Sequence, residues 1–271
     1  MKKLLRIHQS SGMHWVGNGF PVRSVFDYNG LGRELSPFLL LDYAAPYQFP
    51  PGKEKRGVGG HPHKGFETVT VAYQGELEHR DSSGGGGKIG AGDVQWMTAG
   101  RGIMHEEMPQ VLPEGIAGFQ LWVNLPANLK LTPPRYQNIL AAEIPEIKRE
   151  NGARIRVITG KVDGTLGPVS GIAANPTYMD VSIPPHQTFT QAIPSGNTAF
   201  AYLFQGEAQF ANGDAEKVLI RSPQLVVWGD GDFVEIATGE SAARLLLVSG
   251  KPLHEPVARY GPFVMNTREE I

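Results

Sequence analysis

The sequence predicts an all-β protein made of two tandem β-barrels with few short helices, and three observations carry that expectation. Its 34 glycines and 21 prolines are spread along 271 residues and punctuate short runs rich in Val, Ile, Phe, Tyr and Trp, the pattern of strands joined by turns. Long stretches of helical periodicity are missing. An internal repeat completes the case: Ala72-Tyr73-Gln74-Gly75-Glu76 returns as Leu203-Phe204-Gln205-Gly206-Glu207, 131 residues later.

Taken in order, the opening Met1 to His8 begins like a signal peptide, but Arg6 and His8 break the apolar run at once. His61-Pro62-His63 reads as a strand, and Phe66 to Tyr73 as another that leads into the first copy of the repeat. A turn follows at Asp81-Ser82-Ser83-Gly84-Gly85-Gly86-Gly87; with no strand-to-helix pattern or Lys-Ser/Thr pair behind it, it is a hairpin loop and not a phosphate loop. Lys88 to Met97 and His105-Glu106-Glu107 supply further strands. Between Leu125 and Ile155, Pro126, Pro133, Pro134 and Pro145 interrupt any regular pattern, so the joint falls there, with a short helix expected over Glu143 to Glu150. The first barrel is assigned to residues 1–130 and the second to 131–271. In the second, Ala199 to Phe204 repeats the strand, Asn212-Gly213-Asp214 the turn, and Lys217 to Trp228 loosely repeats Lys88 to Met97.

Composition narrows the functions. A formal charge of -2 gives no electrostatic reason to expect nucleic acid or an anionic membrane, and no segment reaches the roughly 20 apolar residues a spanning helix needs. A cytoplasmic location is therefore expected. Zero cysteines exclude disulfides, thiolate metal sites and cysteine nucleophiles, so a metal here must be held by nitrogen and oxygen.

The residues that suit such a site stand at i, i+2 spacing. Alternate side chains of a strand share a face, so His61 and His63 point one way together, as do His105 and Glu107. Two such strands facing each other bring three imidazoles and one carboxylate together, a set that suits a divalent transition metal. The repeat acts as a control: shifted by 131 residues, His61 falls on Ala192, His63 on Pro194 and Glu67 on Thr198, none of them a good metal ligand. Other conspicuous groups have plainer readings. Glu106 alternates away to solvent, His79 ends a strand at the surface, His186 serves a turn after Pro184-Pro185, and Trp96, Trp122, Phe66 and Phe119 belong to the core or to a pocket wall.

His61-x-His63, then Glu67 and Gly75, and later Gly92 with Thr98-Ala99-Gly100 before His105, is similar to the two signature motifs of the cupin superfamily. Within it, HPHKGFETVTVAYQGELEHRDS, GAGDVQWMTAGRGIMHEEMP, FLLLDYAAPYQFPPG and VGNGFPVRS resemble the pirin family, densely from Val16 to Asn124 and more weakly to the C-terminus. Thr98 where cupins usually carry proline, and four residues between Gly100 and His105, are departures that pirins share.

The resemblance implies a bicupin whose N-terminal barrel binds one metal through His61, His63, His105 and Glu107, and whose C-terminal barrel lacks ligands. Fe(II) is favoured, with Zn, Mn, Co, Ni and Cu as alternatives. A generic cupin would use Glu67 as a ligand; the pirin pattern favours Glu107, leaving Glu67 to orient an imidazole. The implied activity is that of a quercetin 2,3-dioxygenase, opening a flavonol or similar enol with O2 and with Glu107 as the catalytic base. The alternative is a metal- or redox-sensing regulatory protein that contacts a protein partner, through the basic residues Lys53, Lys55, Arg56 and Lys64 near the site.

Overall fold

A computed structural model describes residues 1–10, 12–50, 54–110, 113–213 and 216–271. The architecture is all-β, and its helical content among these residues is three 3-10 turns, Leu31–Arg33, Ala127–Leu129 and Ala141–Glu143. Among the described residues no helix is long and apolar enough to cross a membrane.

The chain forms two compact units, one of Ser11–Ala141 with Leu253–Ile271, the other of Met1–Ser10 with Ala142–Pro252. In the first, a seven-stranded sheet runs in the order Arg135–Ile139, Val94–Thr98, Phe66–Gln74, Ile116–Asn124, Phe38–Tyr47, Phe20–Phe26, His14–Val16. Its four-stranded companion runs Val58–His63, Ile103–Pro109, Leu77–Asp81, Gly86–Ile89. The second unit repeats this plan strand for strand. Its larger sheet runs Leu4–His8, Gln224–Trp228, Thr198–Gln205, Ala243–Gly250, Thr177–Ile183, Arg154–Thr159, Glu146–Lys148. The smaller runs Thr188–Ala192, Phe233–Ala237, Glu207–Asn212, Glu216–Arg221.

Two readings of the linker and ends change. Where a short helix was expected over Glu143 to Glu150, Glu146–Lys148 is a strand that pairs with Arg154, Ile155 and Arg156. Pro145 disfavours the helical region for Ile144, and the extended form lets Ile147 pack on the core of its barrel. The division at 130/131 also differs from the observed units at both ends. Leu4–His8 pairs with Gln224–Trp228, filling the edge position that Arg135–Ile139 fills beside Val94–Thr98. The tail from Leu253 joins the first unit. Asp214, expected in a turn, lies outside the described residues.

The repeat has a clear physical basis at its glycine. Gly75 and Gly206 adopt φ of 78° and 79°, a region that disfavours any residue with a Cβ. A Cβ on Gly75 would collide with the carbonyl oxygen of Gly115, and one on Gly206 with that of Ala242. In each barrel the chain must leave a central strand against the backbone that enters its neighbour.

The two interiors differ more than the scaffolds do. Across four adjacent strands the first barrel carries the row Asp42, Gln120, Thr70, Gln95. The matching row of the second is Met179, Leu247, Ala201, Val226. All four of the latter belong to one buried apolar cluster, where a side chain the size of Leu or Met contributes about 1.5–3 kcal/mol. The first barrel gives up much of that stabilisation along this row.

Gly75→Ala and Gly206→Ala should therefore each lower the thermal midpoint, since the backbone strain alone costs about 1–3 kcal/mol. Gly84→Ala is the control: its φ is 85°, but no heavy atom lies within 4 Å of the added methyl. Equal losses for all three in thermal unfolding would show that the carbonyl collisions are relieved elsewhere.

Candidate metal centre

The inward face of the four-stranded sheet of the first unit assembles the site. His105 lies opposite His61 on one side and opposite Asp81 on the other, and Glu107 lies opposite Val58 and His79. The register shifts between His105 and Glu107, which puts a bulge at Gly59-Gly60, where the backbone has little steric restriction. The bulge turns His61 back on its own strand, and Nδ1 of His61 lies 2.9 Å from the carbonyl oxygen of Gly59. A carbonyl only accepts, so Nδ1 carries the proton and Nε2 keeps the lone pair.

The ligating atoms of His61, His63 and His105 all lie within 4.8 Å of one another. Ring centroids are 4.4 Å apart for His61 and His105, and 4.8 Å for His63 with either partner. Both nitrogens of His63 and both of His105 are buried with no hydrogen-bond partner in the protein. Leaving such groups unpaired costs about 1–3 kcal/mol each, and a divalent cation accepting their lone pairs removes part of that cost. Their charge state fits the same use. Burial, reinforced by the neighbouring His105 and His61, holds His63 well below the ordinary histidine range. His105 is pushed down to about 3, chiefly by burial and then by His61 and His79. The rings are neutral at pH 7, the form that binds metal. This donor set fits a nitrogen- and oxygen-preferring divalent ion.

Glu107 is 6 % exposed and shares the inward face, but it stands apart from the three-histidine cluster. Gln120 Nε2 reaches its two oxygens at 3.3 and 3.4 Å. Burial raises the pKa of this carboxyl, against the opposing influence of His61 and of the Gln120 amide. A cation beside it would draw it back toward the carboxylate.

Glu107 and Gln120 also line a cavity inside the barrel, with Phe20, Val22, Asp42 and Thr70 among its walls. Its solvent-accessible interior is about 70 Å³, below the roughly 300–1,000 Å³ of drug-sized ligand sites. Asp42 accepts a 2.6 Å hydrogen bond from Ser24 Oγ, and burial raises its pKa. None of the three histidines lines the cavity, so Glu107 stands between it and the imidazoles.

Several sequence expectations resolve here. Glu67 does not reach the site. Gly65, with φ of 85°, breaks the chain between the two strands, and the parity counted from His63 does not carry through. Phe66 packs on Trp122 at 4.4 Å and on His63 at 5.3 Å, whereas Glu67 faces the other side and accepts a 2.7 Å bond from Thr98 Oγ1. Burial raises its pKa to about 7, against the hydrogen bond from Thr98. His79 is not at the surface: it is 2 % exposed, with both nitrogens unpartnered and its ring 5.2 Å from that of Tyr136. His186 occupies a turn at φ of 57°, 3.4 Å from Glu240. Of the basic set, Lys53 lies outside the described residues, and the Arg56 guanidinium lies over the Phe49 ring at 4.9 Å. The repeat control shifts by one residue. Gln191 pairs with Val234 as His61 pairs with His105, so Gln191 and Ile193 take the inward positions while Ala192 and Pro194 are exposed. Likewise Phe210 and Ile236 stand where His79 and Glu107 do.

Asp42, Gln120, Ser24 and Thr70 escaped the sequence reading. A signal for three of them existed: each of Asp42, Thr70 and Gln120 interrupts an apolar strand where the second barrel is apolar, but alignment by sequence alone does not reach that far.

A model of the pirin family matches residues 19–123, and a model of the pirin C-terminal cupin domain matches residues 178–271. A Pseudomonas aeruginosa protein named "Putative quercetin 2,3-dioxygenase PA2418" is 46% identical over 277 residues, covering 100% of this chain and 94% of its own length. A pirin-like protein of Caulobacter vibrioides is 38% identical over 257 residues, covering 93% and 86%. The crystal structure of a quercetin 2,3-dioxygenase from Acinetobacter baumannii superposes with a TM-score of 0.92 at 44% identity, covering 100% of this chain and 94% of that one.

The depressed histidines give the metal-free protein a defined pH response. Below the ordinary histidine pKa of about 6.5 the unfolded chain binds protons that folded His63 and His105 refuse. Stability is thus full above that value and drains as pH falls from about 6.5 toward 3, by up to about 1.4 kcal/mol per pH unit for each ring. The buried carboxyls Glu67, Asp42 and Glu107 act with opposite sign, since their raised pKa values favour the fold at low pH, while His79 acts with the two cluster rings. In melting curves from pH 7 to 4.5, His105→Phe should lose less stability per pH unit than wild type; an unchanged slope in that variant would contradict the assignment.

Proposed function

This chain belongs to the pirin family, and from that premise we propose that it is a dioxygenase of the quercetin 2,3-dioxygenase type. His61, His63 and His105 would hold one divalent metal, and Glu107, which stands apart from them in the metal-free protein, would turn in to complete the set; Fe(II) is preferred because three imidazoles and a carboxylate resemble the facial triad of non-haem iron oxygenases with one histidine added. Zn, Mn, Co, Ni or Cu would satisfy the same donors. The observation that carries the proposal is the position of Glu107. It shares the inward face of the sheet with the histidines and also lines the cavity.

A bound ion would supply Lewis acidity toward an enol oxygen and redox chemistry with O2. The chain supplies the rest. A flavonol-like aromatic docks at the mouth of the cavity and must widen it to enter, with Phe20 and Val22 excluding water beside the reacting hydroxyl. Glu107 accepts the proton of the 3-hydroxyl. Burial raises its pKa, which strengthens it as a base, and Gln120 Nε2 donates to its two oxygens. Across the net reaction both atoms of O2 enter the opened product, and the carbon that bore the hydroxyl leaves as carbon monoxide. Trp122 and Phe66 back His63 from the side away from solvent.

Anaerobic reconstitution with Fe(II), followed by quercetin and O2, should bleach the flavonol absorbance and release carbon monoxide. Glu107→Gln should lower kcat by about 10²–10⁴, the usual contribution of a positioned base, whereas Glu67→Gln should leave bound metal and turnover near wild type. No loss of absorbance with any first-row divalent metal would sink the enzymatic reading. Tight metal binding without turnover would turn attention to the regulatory alternative, tested by comparing partners captured by the ferrous and ferric protein.

A further inference from the structure

We infer that Lys130 is a positioning residue of the metal centre, tying the C-terminal tail to the chain segment that follows His63. The inference rests on the reading that His63 holds the ion. Lys130 is 1 % exposed, and no carboxylate lies among its hydrogen-bond partners. Its ammonium donates to the carbonyl of Gly65 at 2.8 Å, to Asn124 Oδ1 at 2.7 Å and to the carbonyl of Val264 at 3.0 Å. All three donors are satisfied, with two of the acceptors on backbone far apart in sequence. Burial lowers its pKa to about 8, with only the more distant Glu255 and Glu270 acting the other way. A charge so placed is costly for a purely structural role, because an apolar side chain fills a core without a desolvation penalty.

What it joins explains the cost. Lys64 and Gly65 directly follow His63. The Lys64 N–H donates to the carbonyl of Pro262, the Val264 N–H donates to the carbonyl of Lys64, and the Gly65 N–H donates to the carbonyl of Gly100. Gly65 sits at φ of 85°, and a Cβ there would strike the carbonyl of Val264. The tail thus forms a short ladder on the exit of the His61–His63 strand, and the ammonium pins that ladder to Asn124 from below. The tail also braces His63 by a second route. Val264 is fully buried with Leu39, Leu40, Phe66 and Trp122, and the Arg259 guanidinium lies over the Trp122 ring at 5.2 Å. Phe66 and Trp122 are the rings against which His63 packs, at 5.3 and 5.5 Å. Both routes fix the direction of one imidazole whose nitrogens have no protein partner.

Lys130→Met keeps the length of the side chain and removes the ammonium. Co(II) is the probe, its affinity read by competition with a coloured chelator and its geometry by the visible ligand-field spectrum. The variant should bind Co(II) about 10–100-fold more weakly, the usual cost of losing a group that orients a ligand, with an altered spectrum. In the metal-free protein the amides of Lys64 and Val264 should exchange hydrogen faster than in wild type. Val94→Ala, a cavity in the Val94–Thr98 strand away from the tail, is the control: it should lose thermal stability and keep wild-type Co(II) affinity. If Lys130→Met does not fold, Asn124→Ala removes one acceptor and should show the same effects in smaller degree. Wild-type affinity and spectrum in the lysine variant would overturn the inference. Were wild type itself to bind no Co(II), the metal reading would fail, and unchanged exchange at Lys64 and Val264 would separately overturn the strap.

Discussion

Register between two short strands is the constraint on which this molecule depends. Val58–His63 and Ile103–Pro109 meet so that His61 lies opposite His105 and His63 opposite Ile103. A slip of one residue would send every one of these side chains to the other face, and no cluster of imidazoles would remain. Glycines hold the register. The bulge at Gly59-Gly60 absorbs the mismatch between His105 and Glu107, and at Gly57, with φ of 148°, a Cβ would collide with the carbonyl of Glu107.

The two units show what the scaffold needs and what the site adds. Where the first carries His79, His105 and Glu107, the second carries Phe210, Val234 and Ile236 in the matching register, all part of one apolar core. Such a core is sufficient to hold the barrel. The polar interior of the first barrel therefore weakens packing and leaves space in exchange for chemistry. The cost is concentrated: the buried, unpaired nitrogens of His63, His79 and His105 sit within one sheet. Their low proton affinity and their readiness for a cation have the same cause, removal from water without a protein partner.

The chain ends serve the two units crosswise. Leu4–His8 completes the larger sheet of the unit built mainly from later residues. The tail from Leu253 belongs to the unit built from earlier ones, where Ala258–Tyr260 and Phe263–Met265 form a hairpin. Each barrel therefore takes in a segment from the far end of the chain. In the first unit that segment is bound to the loop beside a candidate ligand, so the ordering of the tail and of His63 are physically linked.

The sequence by itself determined the all-β class, the repeat and the identity of the clustered histidines, because these depend on local rules. Turn glycines, strand alternation at His61 and His63, and the spacing of His105 and Glu107 are properties of a few adjacent residues. The tertiary structure decided what depends on pairing between distant strands. Parity counted along the chain put Glu67 beside the site and His79 at the surface; the break at Gly65 and the barrel's closure reversed both. The equivalence of His61 with Gln191 was hidden because loops of unequal length displace one uniform offset, and only hydrogen-bonded register restores it. Asp42 and Gln120 become one feature only when their strands lie side by side, and a lysine such as Lys130 acquires its partners only once residue 264 has folded back onto residue 65.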